Sequence, residues 1–226
     1  MTSALLLAAS LLSASADGVL TASYSKSEGK LDDLNPKSKF WAKTEVASFN
    51  KGPRGEQHPH KPTEVRVRWT KDNLWVLYVA PYDKMYLKPD PQTDRDTNKL
   101  WDWDVCEMFI GADFNNIERY REFQVSPQNE WVDLDIRRDE KKTLIEWNSG
   151  YKTNARIDKA NKVWYGLFRI PISSITTDKV AAGTKFRANF YRIEDGPPNR
   201  KFFAWRELGS PSYHTPAKFG ILELVK

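Results

Sequence analysis

From about residue 36 onward, apolar and polar residues alternate in short runs broken by Gly, Pro, Asn and Asp, the rhythm of strands separated by tight turns. Val65, Val67 and Trp69 alternate with Arg66 and Arg68, so this strand has one buried and one wet face. The next run, 74–80, is apolar on both faces, as a strand covered on both sides must be. Lys71-Asp72-Asn73 between them is a hairpin turn signal. Further strands are expected over 105–110, 120–126, 131–136, 163–170, 186–193 and 219–225. No run carries a sustained helical stripe, and only 171–175 is expected to make a single helical turn. Segments 50–62, 89–98 and 196–201 read as loops from their Pro, Gly and polar content. Many short strands at turn-separated spacing, with no internal repeat, predict an all-β fold: a two-layer antiparallel β-sandwich of the jelly-roll or immunoglobulin-like kind.

The N-terminus departs from this rhythm. Residues 4–12 are apolar but too short to span a bilayer, and Ala14-Ser15-Ala16 offers a small-residue cleavage site before Asp17. The expectation is a signal peptide over 1–16, despite an n-region without Lys or Arg, then a polar linker over 17–35 and one domain over 36–226. The implied location is secreted or periplasmic. A chain of 226 residues that is 40% hydrophobic can bury a core large enough to fold without crosslinks. The single cysteine, Cys106, excludes an internal disulfide framework. It sits between Val105 and Glu107 in an expected strand and reads as a small core residue.

Charge narrows the partners. The formal charge of +5 comes from 35 Lys and Arg against 30 Asp and Glu scattered along the chain, whereas a nucleic-acid footprint needs basic residues gathered on one face. The best basic run, Arg137-Arg138 with Lys141-Lys142, is interrupted by Asp139 and Glu140 and reads as a solvated turn. Neither a nucleic acid nor a membrane is expected as partner.

Candidate chemistry is thin for an enzyme. Asp102, Asp104 and Glu107 lie close in sequence, but acid pairs arise by chance among 30 carboxylates, and a glycosidase needs two of them flanking the scissile bond. There is no G-x-S-x-G elbow, H-E-x-x-H or Cys-x-x-Cys, and His58-Pro-His60 has no third metal ligand nearby. No cofactor is expected to be required. Asp102, Asp104, Asp113 and Asn115 are oxygen ligands suited to a structural calcium ion, although Asp and Asn populate turns in any case. What stands out is the surplus of nine tryptophans. A pyranose ring has apolar C–H faces and a rim of hydroxyls, so its site combines flat aromatic platforms with planar polar groups. Lys99-Leu-Trp-Asp-Trp-Asp-Val-Cys-Glu-Met-Phe-Ile110 supplies both, with Trp101 ahead of an expected strand and Glu107 within it.

Several segments together resemble the family 9 carbohydrate-binding modules. They are Thr63-Glu-Val-Arg-Val-Arg-Trp69 with Asn73-Leu-Trp-Val-Leu-Tyr78, Leu100-Trp-Asp-Trp-Asp-Val-Cys-Glu-Met-Phe109, Tyr120-Arg-Glu-Phe-Gln-Val-Ser126, Trp164-Tyr-Gly-Leu-Phe-Arg-Ile-Pro171, Phe186-Arg-Ala-Asn-Phe-Tyr-Arg192 and Tyr213-His-Thr-Pro-Ala-Lys-Phe-Gly-Ile-Leu222. Their shared order carries the likeness. The resemblance implies a terminal sugar held between two aromatic plates, Trp101 and Tyr213, with Glu107 and the residue at 124 reaching its hydroxyls. Where the family has a tryptophan this chain has Tyr213, and where it has an arginine this chain has Gln124. Tyr can still stack, but the charged fork donor is lost. His214 beside Tyr213 is a candidate second donor.

The implied function is non-catalytic binding of mono-, oligo- or polysaccharide in support of polysaccharide recognition or catabolism, any hydrolysis belonging to partner enzymes encoded elsewhere. Two alternatives stand beside it. The same sandwich is similar to DOMON-type domains, some of which bind haem, and Met85, Met108 and His214 are of axial-ligand type. The other is a protein-interaction or accessory domain with a degenerate sugar site.

Overall fold

The computed structural model describes residues 18–59 and 61–226. The expected signal peptide, and His60 of the His58 pair, lie outside the described residues. Thirteen strands follow along the chain: β1 Val19–Tyr24, β2 Val46–Phe49, β3 Thr63–Trp69, β4 Asn73–Pro81, β5 Val105–Gly111, β6 Arg119–Val125, β7 Trp131–Arg137, β8 Lys142–Leu144, β9 Lys152–Asp158, β10 Val163–Pro171, β11 Lys185–Glu194, β12 Lys201–Ala204 and β13 Gly220–Val225. Helix is confined to single 3-10 turns such as Leu100–Asp102 and Ile172–Ser174, the second where one helical turn was expected. No helix among the described residues is long and apolar enough to cross a membrane.

All the strands belong to one sheet, ordered β8-β7-β6-β5-β11-β13-β1-β3-β4-β10-β9, with β2 added to β3 and β12 to β11. The sheet curls until its ends face each other. A Cβ on Gly166 of β10 would come within 2.8 Å of Val125 Cγ1 on β6, so the bare backbone at Gly166 lets the facing strands approach. Across the same gap the Tyr78 hydroxyl of β4 donates to the Glu107 carbonyl of β5 at 2.5 Å.

Period-two alternation decides what each strand gives to which side. On β5, Cys106, Met108 and Ile110 enter the core enclosed by the curl, joined by Phe123 and Val125 of β6 and Phe190 of β11. Cys106 is fully buried, and burial holds its thiol well above the ordinary range, consistent with a core residue. The intervening residues of these strands, including Phe109, Tyr120 and Tyr191, form a second apolar cluster on the other face. A third cluster lies on the outer face of β4 and β10, where Leu34 and Trp41 cover Trp75, Leu77 and Leu167.

Two expectations need correcting. The segment expected to be a linker contains a strand: Val19–Tyr24 lies inside the sheet, with Leu20 and Ala22 fully buried. The sheet is also not wholly antiparallel, because β1 runs parallel to both β13 and β3. Strands β2, β8, β9 and β12 were not anticipated. β9 pairs only with β10 and stays half-buried along most of its length, so no apolar alternation marks it. The basic run at 137–142 is an exposed ion-pair network in which Arg119 meets Asp139 at 2.8 Å and Glu140 at 2.7 Å.

Candidate functional site

The outer face of β11, β5, β6 and β7 is roofed by the segments before β5 and after β12, leaving a cavity of about 310 Å³. Trp101, Glu107, Tyr213 and His214 all line it, together with Glu122 and Phe202. Gln124 does not reach it. It lies fully buried behind Glu122, to which its amide donates at 2.5 Å.

Strand register explains this arrangement. Glu107 pairs with Gln124, and Phe109 with Glu122, across β5 and β6, so the two carboxylates are diagonal neighbours on one face, within side-chain reach. Both are almost completely buried, and this cost is visible in their ionisation. Burial, and then the nearby Glu122, push the Glu107 carboxyl well above the usual range, with Arg200 opposing them. Burial raises Glu122 to about 8 against the lowering effect of the Gln124 amide. Glu122 Oε2 is buried without a hydrogen-bond partner.

The aromatic walls are held from outside the cavity. Leu100, fully buried, anchors the turn that carries Trp101. On the far side Trp103 stacks on Tyr86 at 4.6 Å and 22°. The Arg200 guanidinium donates to the Trp101 carbonyl, which leaves the Trp101 ring half-buried at the mouth. Tyr213 is the more enclosed plate, only 9% exposed, with one face on Tyr191 at 4.1 Å and 15°. Its hydroxyl accepts from the Phe203 N–H at 3.1 Å and lies 3.0 Å from the Arg192 carbonyl. Phe202, 38% exposed, meets the Tyr213 ring edge-on at 6.0 Å. His214 Nδ1 lies 2.7 Å from the Tyr120 hydroxyl. Burial, aided by Arg138, lowers the ring to about 4, so at neutral pH it is uncharged.

Glu122, Phe202 and Arg200 are the members that sequence reasoning missed. Glu122 lies two residues before Gln124 on the same strand, so strict alternation puts it on the same face. Phe202 sits in β12, just beyond the segment expected to be a loop.

Other candidates do not assemble. Asp113 accepts the N–H groups of Asn115 and Asn116 in a turn beyond β5, while Asp104, ahead of β5, accepts the Asp195 N–H at 2.8 Å. Among the described residues no group of three or more His, Cys, Asp or Glu is placed to hold a metal. The haem set is divided: Met108 is buried in the enclosed core while His214 lies on the opposite side of β5. A larger groove of about 640 Å³ runs past Arg121 and Arg137, but both guanidiniums are engaged by Asp135.

The carboxyl pair predicts the sign of a pH effect. An unfolded Glu titrates near 4.3, so between about 4.3 and about 8 the native chain binds more protons than the unfolded one, and stability falls as pH rises through this window. Urea unfolding is expected to show a lower midpoint at pH 8 than at pH 5.5, and Glu122→Gln is expected to flatten that slope. A midpoint that rises with pH across the window would show that the pair is not held protonated.

A curled all-β sheet with an aromatic-walled, acid-floored cavity on its outer face defines a domain built to hold a small polar ligand. The chain belongs to the family described as carbohydrate family 9 binding domain-like, whose model matches residues 33–226. It is similar to an extracellular protein of Arthroderma benhamiae, 23% identical over 178 residues, 73% of this chain and 79% of that protein. It is also similar to endo-1,4-beta-xylanase A of Thermotoga neapolitana, 24% identical over 220 residues, 92% of this chain but only 18% of the xylanase. A solved structure from Bacteroides uniformis shares the fold with a TM-score of 0.74 at 16% identity, covering 91% of this chain and 98% of that one. A family 9 carbohydrate-binding module from Caldicellulosiruptor kristjanssonii, solved with glucose, matches with a TM-score of 0.61 at 15% identity, over 91% and 95% of the two chains.

Proposed function

We propose that this domain binds carbohydrate without cleaving it, holding one sugar unit in the cavity between Trp101 and Tyr213, with Phe202 at the mouth and Glu107, Glu122 and His214 addressing the hydroxyls. The observation that carries this reading is the pairing of aromatic walls with a planar polar floor in a single cavity of about 310 Å³, the combination a pyranose requires. Membership of the family supports it, as does the glucose held by the Caldicellulosiruptor module. The curled sheet is read as a two-layer sandwich of the jelly-roll or immunoglobulin-like kind. Structural calcium stays within the proposal only as an ion outside the sugar cavity.

The carboxyl pair is not a hydrolytic dyad in this reading. Both groups lie on neighbouring strands of one face, whereas hydrolysis places its two carboxyls on opposite sides of the scissile bond. The xylanase match covers a small part of that enzyme, so this domain's part in polysaccharide breakdown is to adhere, with hydrolysis left to enzymes. An extracytoplasmic location fits the apolar leader and the extracellular relative.

Calorimetric titration with glucose, cellobiose and xylobiose is the test. Saturable one-site binding to at least one of them, with no reducing sugar released on prolonged incubation, is expected. No binding to any of the three, or steady release of reducing ends, would overturn the reading.

A further inference from the structure

The cavity floor is oversupplied with acceptors. Glu107 comes from β5 and Glu122 from β6, both at least 97% buried, and Glu122 Oε2 has no hydrogen-bond partner. The neutral donors around them are committed. The Gln124 amide is turned onto Glu122 Oε1, the Tyr191 hydroxyl of β11 donates to the Tyr213 carbonyl at 3.0 Å, and the Tyr213 hydroxyl is held by β11 and β12 backbone. Arg200, ahead of β12, is the cation whose charge reaches Glu107; its Nη2 donates to the Trp101 carbonyl, and its Nε is buried without a partner. His214, backed by Arg138, is uncharged at neutral pH, and Tyr120 is engaged with it. One charged donor therefore faces two carboxyls, and the position where the resemblance implies a second, on β6, is occupied by the neutral Gln124.

We infer that the missing cation is supplied by the ligand, and that the cavity selects an amino sugar whose ammonium group seats between Glu107 and Glu122. This rests on the sugar-binding reading above and deepens it. An ammonium has three donors and no acceptor, and hydrogen bonds between ionised partners are the stronger kind. In the empty cavity protons supply the compensation, since two buried carboxyls at this spacing cannot both ionise cheaply. When the ammonium enters, those protons leave the two carboxyls for the buffer, and both carboxylates face the cation. Acetylation removes the charge and two of the donors, so an N-acetylated sugar gains nothing from the pair.

Calorimetry of the full chain at pH 7 with the β-linked disaccharides of glucose, glucosamine and N-acetylglucosamine tests this. The glucosamine disaccharide is expected to bind about tenfold or more tighter than cellobiose, the scale of one charge-assisted contact, and the N-acetylated one no tighter than cellobiose. Repeating the titration in two buffers of different ionisation enthalpy should show proton release with the glucosamine disaccharide and none with cellobiose, a readout that needs no variant. In Glu122→Gln the ratio of the two affinities is expected to fall towards one. If cellobiose binds and the glucosamine disaccharide binds no better, or binds without releasing protons, the inference fails and the sugar site stands; if neither binds, both fail.

Discussion

Replacing Arg192 with Met is expected to lower stability by about 3–5 kcal/mol, the scale on which a buried ion pair is broken by removing one partner. Arg192 of β11 is 1% exposed. Its Nη2 lies 2.8 Å from Glu194 Oε2, its Nη1 donates to Thr63 Oγ1 of β3 at 3.1 Å, and its guanidinium lies 5.7 Å from the centre of the Phe203 ring. Without it, Glu194 keeps the ammonium of Lys201, at the longer distance of 3.6 Å, and the carboxylate stays buried. The double variant Arg192→Met with Glu194→Leu is expected to recover most of the loss, because a buried pair exchanged for apolar side chains of similar volume is often neutral. Urea-unfolding midpoints for the two single variants and the double one decide this. A loss below about 1 kcal/mol for Arg192→Met would mean that the pair is screened like a surface contact.

The second large effect is on binding. Trp101→Ala is expected to weaken the best of the tested saccharides by about 1.5–3 kcal/mol, the value of burying a large apolar side chain, or roughly ten- to a hundred-fold in affinity. The ring is half-buried at the cavity mouth, and its turn is anchored by Leu100 and by the Trp103–Tyr86 stack, so removing it leaves its supports in place. Tyr213→Phe should behave differently, because the lost hydroxyl braces backbone at Arg192 and Phe203 rather than facing the cavity: stability should fall by about 1 kcal/mol with little change in affinity. Isothermal titration on folded variants, checked by thermal melts, separates the two. Unchanged affinity in Trp101→Ala would remove the aromatic wall from the binding model.

Much of this was readable from the chain because a strand writes its two faces directly into its sequence. Trp69, Val67 and Val65 announced β3 by alternation, and the apolar run at 74–80 announced a strand covered on both sides; both are observed. Trp101, Glu107, Tyr213 and His214 were legible as candidates, and they line one cavity. The position of Gln124 could be read but its orientation could not, since that depends on a hydrogen bond to Glu122 two residues away. β1 was hidden for a related reason. Its sequence, Val-Leu-Thr-Ala-Ser-Tyr, is short, and its pairing partners lie at the far end of the chain and beyond residue 60. Non-local parallel pairing leaves no turn signal, because no hairpin joins the partners.

That strand has a bearing on where the domain begins. The family match starts at residue 33, nine residues after β1 ends at Tyr24, yet among the described strands it is β1 that pairs with both β13 and β3. Cut at the family boundary, β13 and β3 would both lose their pairing with β1, and each would gain a row of unpaired backbone N–H and C=O groups. Such rows are templates for the strands of other molecules. The six residues of β1 thus act as a seam, and the unit whose sheet is continuous is longer at its N-terminus than the family match.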